Sequence, residues 1–150
     1  PNTPALVGTG ASGISCGKYA GEEEEAIAEQ MMRAVGIVAK LPEEMLDAVT
    51  ALSGSGTAYI FYIIESLVKA GMEMGLSEDV ARKLVGQTVL GAARMVMETG
   101  ENPEVLRAKV TSPGGTTEAA IKYLEGKEFQ KILTGAVKEA ARRSKELSKP

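Results

Sequence analysis

Histidine and tryptophan are absent from the 150 residues, and there is one cysteine. Without histidine there is no imidazole general base, no His-ligated metal and no Ser-His-Asp triad, whatever the geometry. A single thiol, Cys16, makes neither an internal disulfide nor a Cys-rich zinc site. With no His partner it reads as a small semi-buried side chain rather than a nucleophile, and no metal is expected. Phenylalanine is scarce, Phe61 and Phe129 only. The core must therefore be aliphatic, and its many Ala, Gly, Met, Leu and Val residues favour helices packed closely through small side chains. A net charge of -3, with basic residues dispersed among acids, offers no patch for a phosphate backbone. Nothing resembles a signal peptide or a long uninterrupted apolar span, so the expectation is a soluble cytoplasmic protein with no nucleic-acid or membrane partner.

Along the chain, Pro1 to Ala20 alternates Pro, Gly, Thr and Val and reads as two short strands joined by a Gly-rich turn. The acids Glu22 to Glu25 open a helix that ends near Gly36 and suit its positive N-terminal dipole. They point in different directions around that helix, which favours a solvated first turn over a cation patch. Ile37 to Ala39 reads as one more strand, giving β-β-α-β. From Pro42 onward every periodic stretch is helical: Glu43 to Thr50, Thr57 to Met74, Glu78 to Glu98, Glu104 to Lys109, Thr116 to Glu125 and Lys127 to Leu147. Tyr59 to Ile64 is apolar on nearly every face and must be surrounded. Glu65, Lys69 and Glu73 interrupt it, so a second protomer accounts for it better than a bilayer. This helix and the next pair as a hairpin, and Gly86 and Gly91 clear room for a neighbouring backbone.

Two Gly-containing junctions are candidates for chemistry. Ser112-Pro113-Gly114-Gly115-Thr116-Thr117 leads into a helix, where unpaired N–H groups and the dipole welcome a carboxylate or phosphate. The same spacing also suits a plain capped turn. Leu52-Ser53-Gly54-Ser55-Gly56-Thr57 opens another helix. It lacks the Gly-Lys-Ser/Thr of a Walker loop, the third glycine of a dinucleotide fingerprint and the Gly-x-Ser-x-Gly of a nucleophile elbow. It reads first as a tight packing junction.

The stretches PNTPALVG at Pro1 to Gly8, DAVTALSGSGTAY at Asp47 to Tyr59, GMEMGLS at Gly71 to Ser77 and GAARMVMETGENPEVLRAKVTSPGGTT at Gly91 to Thr117 resemble pyrroline-5-carboxylate reductases. The resemblance runs from end to end, and the Ser-Pro-Gly-Gly-x-Thr element at its distance from the Ser-Gly-Ser-Gly helix is its most specific part.

The resemblance implies a mainly α fold: a helical dimerisation domain with a long interlocking helix hairpin, residues 42–150, after a short β-β-α-β remnant of a Rossmann domain, residues 1–41. The implied activity is NAD(P)H-dependent reduction of 1-pyrroline-5-carboxylate to L-proline, the last step of proline biosynthesis, by a homodimer or higher homo-oligomer. Ser112 and the backbone of Gly114, Gly115, Thr116 and Thr117 would hold the substrate carboxylate. Thr117, at the family's catalytic threonine position, would hydrogen-bond the ring nitrogen. Glu43 and Ser55 would touch the NADP or NAD cofactor, which the rest of the Rossmann domain would mainly bind. Thr57 replaces a usual proline, and Gly100 and Lys109 replace a substrate-touching Glu and a cofactor-touching Asn of some relatives, so those contacts do not carry over. The Rossmann glycine loop is not in the sequence, so the chain in isolation is expected to have negligible activity. The alternative is a catalytically inactive structural dimerisation module.

Overall fold

The computed structural model describes residues 1–148, so the last two residues of the expected 42–150 domain lie outside the described residues. It divides into two compact units, one of Pro1–Ile60 with residues 133–148, the other of Phe61–Ile132. The architecture is the expected mainly helical one, with a small parallel sheet at its start.

In the first unit the sheet pairs β1 (Gly10–Ile14) with β2 (Gly36–Lys40), in register from Gly10↔Gly36 to Ile14↔Lys40, with α1 (Glu22–Arg33) as the crossover. The order is therefore β-α-β. The first expected strand is instead a turn of 3-10 helix, Thr3–Val7. Pro4, in its first turn, fixes φ and has no N–H to give a ladder. Thr9 N–H returns to the Pro4 carbonyl, and Gly8 ends the turn at φ +73°. The close strand pair demands glycine at Gly36, where an added Cβ would stand 1.9 Å from the Gly10 carbonyl oxygen. As expected, Glu22 to Glu25 form the first turn of α1. The Glu24 carboxylate accepts the Gly21 N–H at 2.8 Å, which lowers its pKa. Glu29 and Glu25 reach Lys40 on β2 at 2.7 and 3.2 Å, fastening helix to strand.

After a 3-10 turn at Glu43–Met45 come α2 (Leu46–Val49), a π-helical turn at Thr50–Gly54 and α3 (Gly56–Glu73). The break expected at Ser53 to Gly56 is thus a widened helical turn, because Ser55 N–H closes on the Thr50 carbonyl five residues back. The turn lies close to the sheet end of the unit, where Val49 fills the space a Cβ at Gly13 would need, 2.9 Å from its Cγ1. Ala51 is fully buried. The C-terminal part of α7 (Phe129–Leu147) joins this unit, where Ser144 donates to Asp47.

The second unit continues from α3 into α4 (Glu78–Thr99), α5 (Pro103–Lys109), α6 (Thr116–Gly126) and the start of α7. Local signals set its helix limits. Gly75 at φ +94° ends α3, and the Ser77 hydroxyl accepts the Val80 N–H to start α4. Gly100 at φ +66° ends α4, and Asn102 caps α5 ahead of Pro103. At the α3–α4 turn the two helices approach through buried Gly71, whose missing Cβ would lie 3.2 Å from that of Ala81. Gly86 and Gly91, expected to admit a neighbouring backbone, have nothing within 4 Å of an added Cβ inside this chain.

Among the described residues only Ala51 and Ala81 are buried hydrophobics, while Phe61, Tyr62, Leu84 and Met95 are each more than half exposed.

Candidate functional site

The Ser112–Thr117 segment is a turn that delivers the chain into α6. Thr111 closes α5 by donating its hydroxyl to the Arg107 carbonyl at 2.6 Å, and Gly115 N–H reaches the Ser112 carbonyl at 2.9 Å. Gly114 sits at φ +72°, a left-handed conformation that favours glycine. A Cβ at Gly115 would press on the Ser112 carbonyl oxygen at 3.0 Å. Gly115 is the N-cap and has no side chain to cap the helix. The N–H groups of Thr116 and Thr117 consequently have no carbonyl a turn earlier and no capping oxygen.

Two of the four nominated backbone positions are already engaged: Gly115 by Ser112, and Gly114 by the Glu118 carboxylate, which accepts its N–H at 2.8 Å. Glu118 also pairs with Lys122 at 3.0 Å. The Gly114 N–H first, and Lys122 second, hold the Glu118 carboxyl below its ordinary 4.5. What the turn offers an incoming anion is thus the N–H groups of Thr116 and Thr117, with a native carboxylate beside them. Thr117 is half-buried and Ser112 and Thr116 are exposed; among the described residues none of the three side-chain hydroxyls has a hydrogen-bond partner. Glu118 escaped the sequence reading, although a carboxylate four residues after a glycine at a helix start is a detectable pattern.

Glu43 and Ser55 lie in the other unit. Glu43 opens the 3-10 turn after Pro42 and is exposed. Ser55 is half-buried between the π-turn and α3; its N–H donates to Thr50 and its carbonyl accepts from Ala58, leaving the hydroxyl unpartnered among the described residues. A carboxylate and a free hydroxyl suit the neutral sugar and carboxamide of a nicotinamide nucleoside, whereas Glu43 would repel the phosphates of a dinucleotide. Cys16, expected to be semi-buried, is exposed, and partial desolvation together with Glu25 raises its pKa, which leaves it a poor nucleophile.

The second unit also carries two open apolar grooves. One, of about 540 Å³, follows α3 along Ile64, Val68 and Met72 to Arg82. The other, of about 560 Å³, lies among Arg107, Ile121, Leu124 and Phe129.

A family model described as pyrroline-5-carboxylate reductase dimerisation matches residues 43–147. The pyrroline-5-carboxylate reductase of Arabidopsis thaliana is 53% identical over 99% of this chain and 54% of its own length. A Bacillus subtilis relative, pyrroline-5-carboxylate reductase 1, is 43% identical over 99% of this chain and 50% of its own. A solved pyrroline-5-carboxylate reductase from Coxiella burnetii superposes with a TM-score of 0.94 at 46% identity, covering 100% of this chain and 56% of that one. A Plasmodium falciparum pyrroline carboxylate reductase with NADP bound gives 0.92 at 33% identity, over 99% and 61%. The chain spans about half the length of the curated relatives it matches.

Proposed function

The chain belongs to the pyrroline-5-carboxylate reductase family, and from that premise we propose that it serves the NAD(P)H-dependent reduction of 1-pyrroline-5-carboxylate to L-proline in the cytoplasm. Its share of the work is the subunit interface and the seat for the substrate carboxylate. The observation that carries this reading is the turn at Gly114 and Gly115, which leaves the Thr116 and Thr117 N–H groups unpaired at the positive end of α6. A family model that begins at residue 43 supports a division of the chain at Pro42.

In this reading the substrate carboxylate accepts the Thr116 and Thr117 N–H groups, with the Ser112 hydroxyl as a further donor. The Thr117 hydroxyl hydrogen-bonds the ring nitrogen and relays a proton to it from solvent, regaining from water the proton it gives, and so orients the imine carbon; it makes no covalent bond. Ser55 and Glu43 border the nicotinamide-nucleoside end of the cofactor. The dinucleotide, when bound, supplies hydride to the imine carbon.

The second copy of the chain covers the apolar surface of α3 and α4. Phe61 and Tyr62 lie exposed on α3 and Leu84 and Met95 on α4, and large apolar side chains left open along two helices support burial against a partner. The run Glu43–Glu73 is long and apolar enough to cross a bilayer, but Glu65, Lys69 and Glu73 favour a protein partner.

The test is proline binding and NAD(P)H-dependent turnover, measured on the chain alone and on the full-length protein. Proline binding to both, with turnover by the full-length protein only, is the expected outcome. Proline binding to neither would leave the second reading, a structural dimerisation module.

A further inference from the structure

We propose that Asn2 is a positioning residue, whose carboxamide ties β1 to the π-helical turn at Thr50–Gly54 and so fixes Ser55 where the dinucleotide is met. The inference rests on the reading above that Ser55 borders the cofactor.

Asn2 uses both ends of one amide. Its Oδ1 accepts the Ala11 N–H at 2.9 Å, and its Nδ2 donates to the Ser53 carbonyl at 3.0 Å. Ala11 belongs to β1, held in register with β2, whereas Ser53 lies in the π-turn; all of these residues are in one unit.

A π-turn accommodates one residue more than an α-turn, and each α-helical residue advances about 100° around the axis. Whether the turn closes on five residues or four therefore decides which way the Ser55 side chain faces. The five-residue closure is the rarer form, and it persists where surroundings hold it. Here Ser55 N–H closes on Thr50 at 2.7 Å, and the Ser53 hydroxyl, bonded to the Val49 carbonyl at 3.1 Å, stays within the helical run. Among the described residues, Asn2 makes the one hydrogen bond to this turn from outside that run. A side chain with only an acceptor would keep Ala11 and lose Ser53, so donor and acceptor can be separated by substitution.

The experiment is calorimetric measurement of the NADP+ dissociation constant of the full-length native protein and its Asn2→Asp and Asn2→Ala variants, from neutral pH down through the carboxylic-acid range. At neutral pH Asn2→Asp, which keeps Ala11 and loses Ser53, is expected to bind NADP+ about five- to tenfold more weakly, the loss of one hydrogen bond to a positioned turn, and Asn2→Ala, which loses both bonds, at least as weakly. As the pH falls, the new carboxyl of Asn2→Asp gains a proton, becomes a donor again and recovers affinity relative to the unsubstituted protein at the same pH. Asn2→Ala does not recover. A role in fold stability alone would lower the unfolding midpoint of the variants and leave the NADP+ dissociation constant of the folded protein unchanged, so the urea midpoint is measured beside it. Unchanged affinity in Asn2→Asp, or weakening without acid recovery, overturns the inference; if Asn2→Ala does not fold, the Asn2→Asp comparison decides by itself. An unsubstituted protein that binds no NADP+ defeats the underlying cofactor reading and takes the positioning role with it.

Discussion

Ser144 on α7 donates its hydroxyl to the Asp47 carboxylate on α2 at 2.6 Å, across 97 positions of sequence. Both side chains are half-buried, so the bond to a charged acceptor is only partly screened. Ser144→Ala should lower unfolding stability by about 1–2 kcal/mol. Ser148→Ala, in an exposed i−3 contact at the end of the same helix, should cost less than about 0.5 kcal/mol. Urea unfolding at one fixed protein concentration compares them; equal midpoints for the two variants would refute a tie between α2 and α7.

The Glu118 carboxylate is held below its ordinary 4.5 by the Gly114 N–H and Lys122. A depressed carboxyl contributes stability that is complete above its unfolded-state pKa and lost as the pH falls through the lowered folded value. The Gly114 amide proton should therefore titrate in NMR with the same midpoint as the Glu118 carboxyl carbon, below 4.5, and Glu118→Gln should abolish that titration. Because this carboxylate stands beside the proposed anion seat, Glu118→Gln should also lower the substrate KM about two- to fivefold through lost repulsion. A raised KM would assign Glu118 a supporting role instead.

Gly114→Ala forces a Cβ into the left-handed region at a cost of about 1–2 kcal/mol, although no atom lies within 4 Å to clash with it. Its expected signature is weaker proline binding in the full-length protein. Thr117→Val keeps the shape of the side chain without the hydroxyl and should reduce kcat about a hundredfold, whereas Thr117→Ser should stay within about tenfold of the parent. Equal kcat for Val and Ser would remove the hydroxyl from the reaction.

Gly86 and Gly91 separate the monomer from the dimer. In this chain an added methyl meets open space at both positions, so Gly86→Ala and Gly91→Ala in a self-sufficient monomer would stabilise α4 by about 1 kcal/mol each. If a second copy's backbone lies against α4, the same substitutions shift sedimentation towards smaller species. Stabilised, fully monomeric variants would count against the proposed interface.

Much of the fold was legible because helix ends here are written locally. Gly75, Ser77, Gly100 and Asn102 each stop or start a helix through a bond to a residue a few positions away, and Pro103 opens α5 with a fixed φ. What the sequence concealed depends on distant partners. Thr3–Val7 holds the Thr, Leu and Val of a strand, yet strand status needs a neighbour that Pro4 cannot bond on its N–H side. The π-turn was hidden because its closure is bound up with a side chain 51 residues away, Asn2. At the candidate site the two glycines and the helix start were readable, and the engagement of Gly114 by Glu118, only four positions away, was readable in principle but overlooked.

With Ala51 and Ala81 its only buried hydrophobics among the described residues, the chain keeps little cohesion to itself. Folding and association should then be one event, and melting temperature should climb with concentration. Dilution would act on such a chain as urea acts on a self-contained domain.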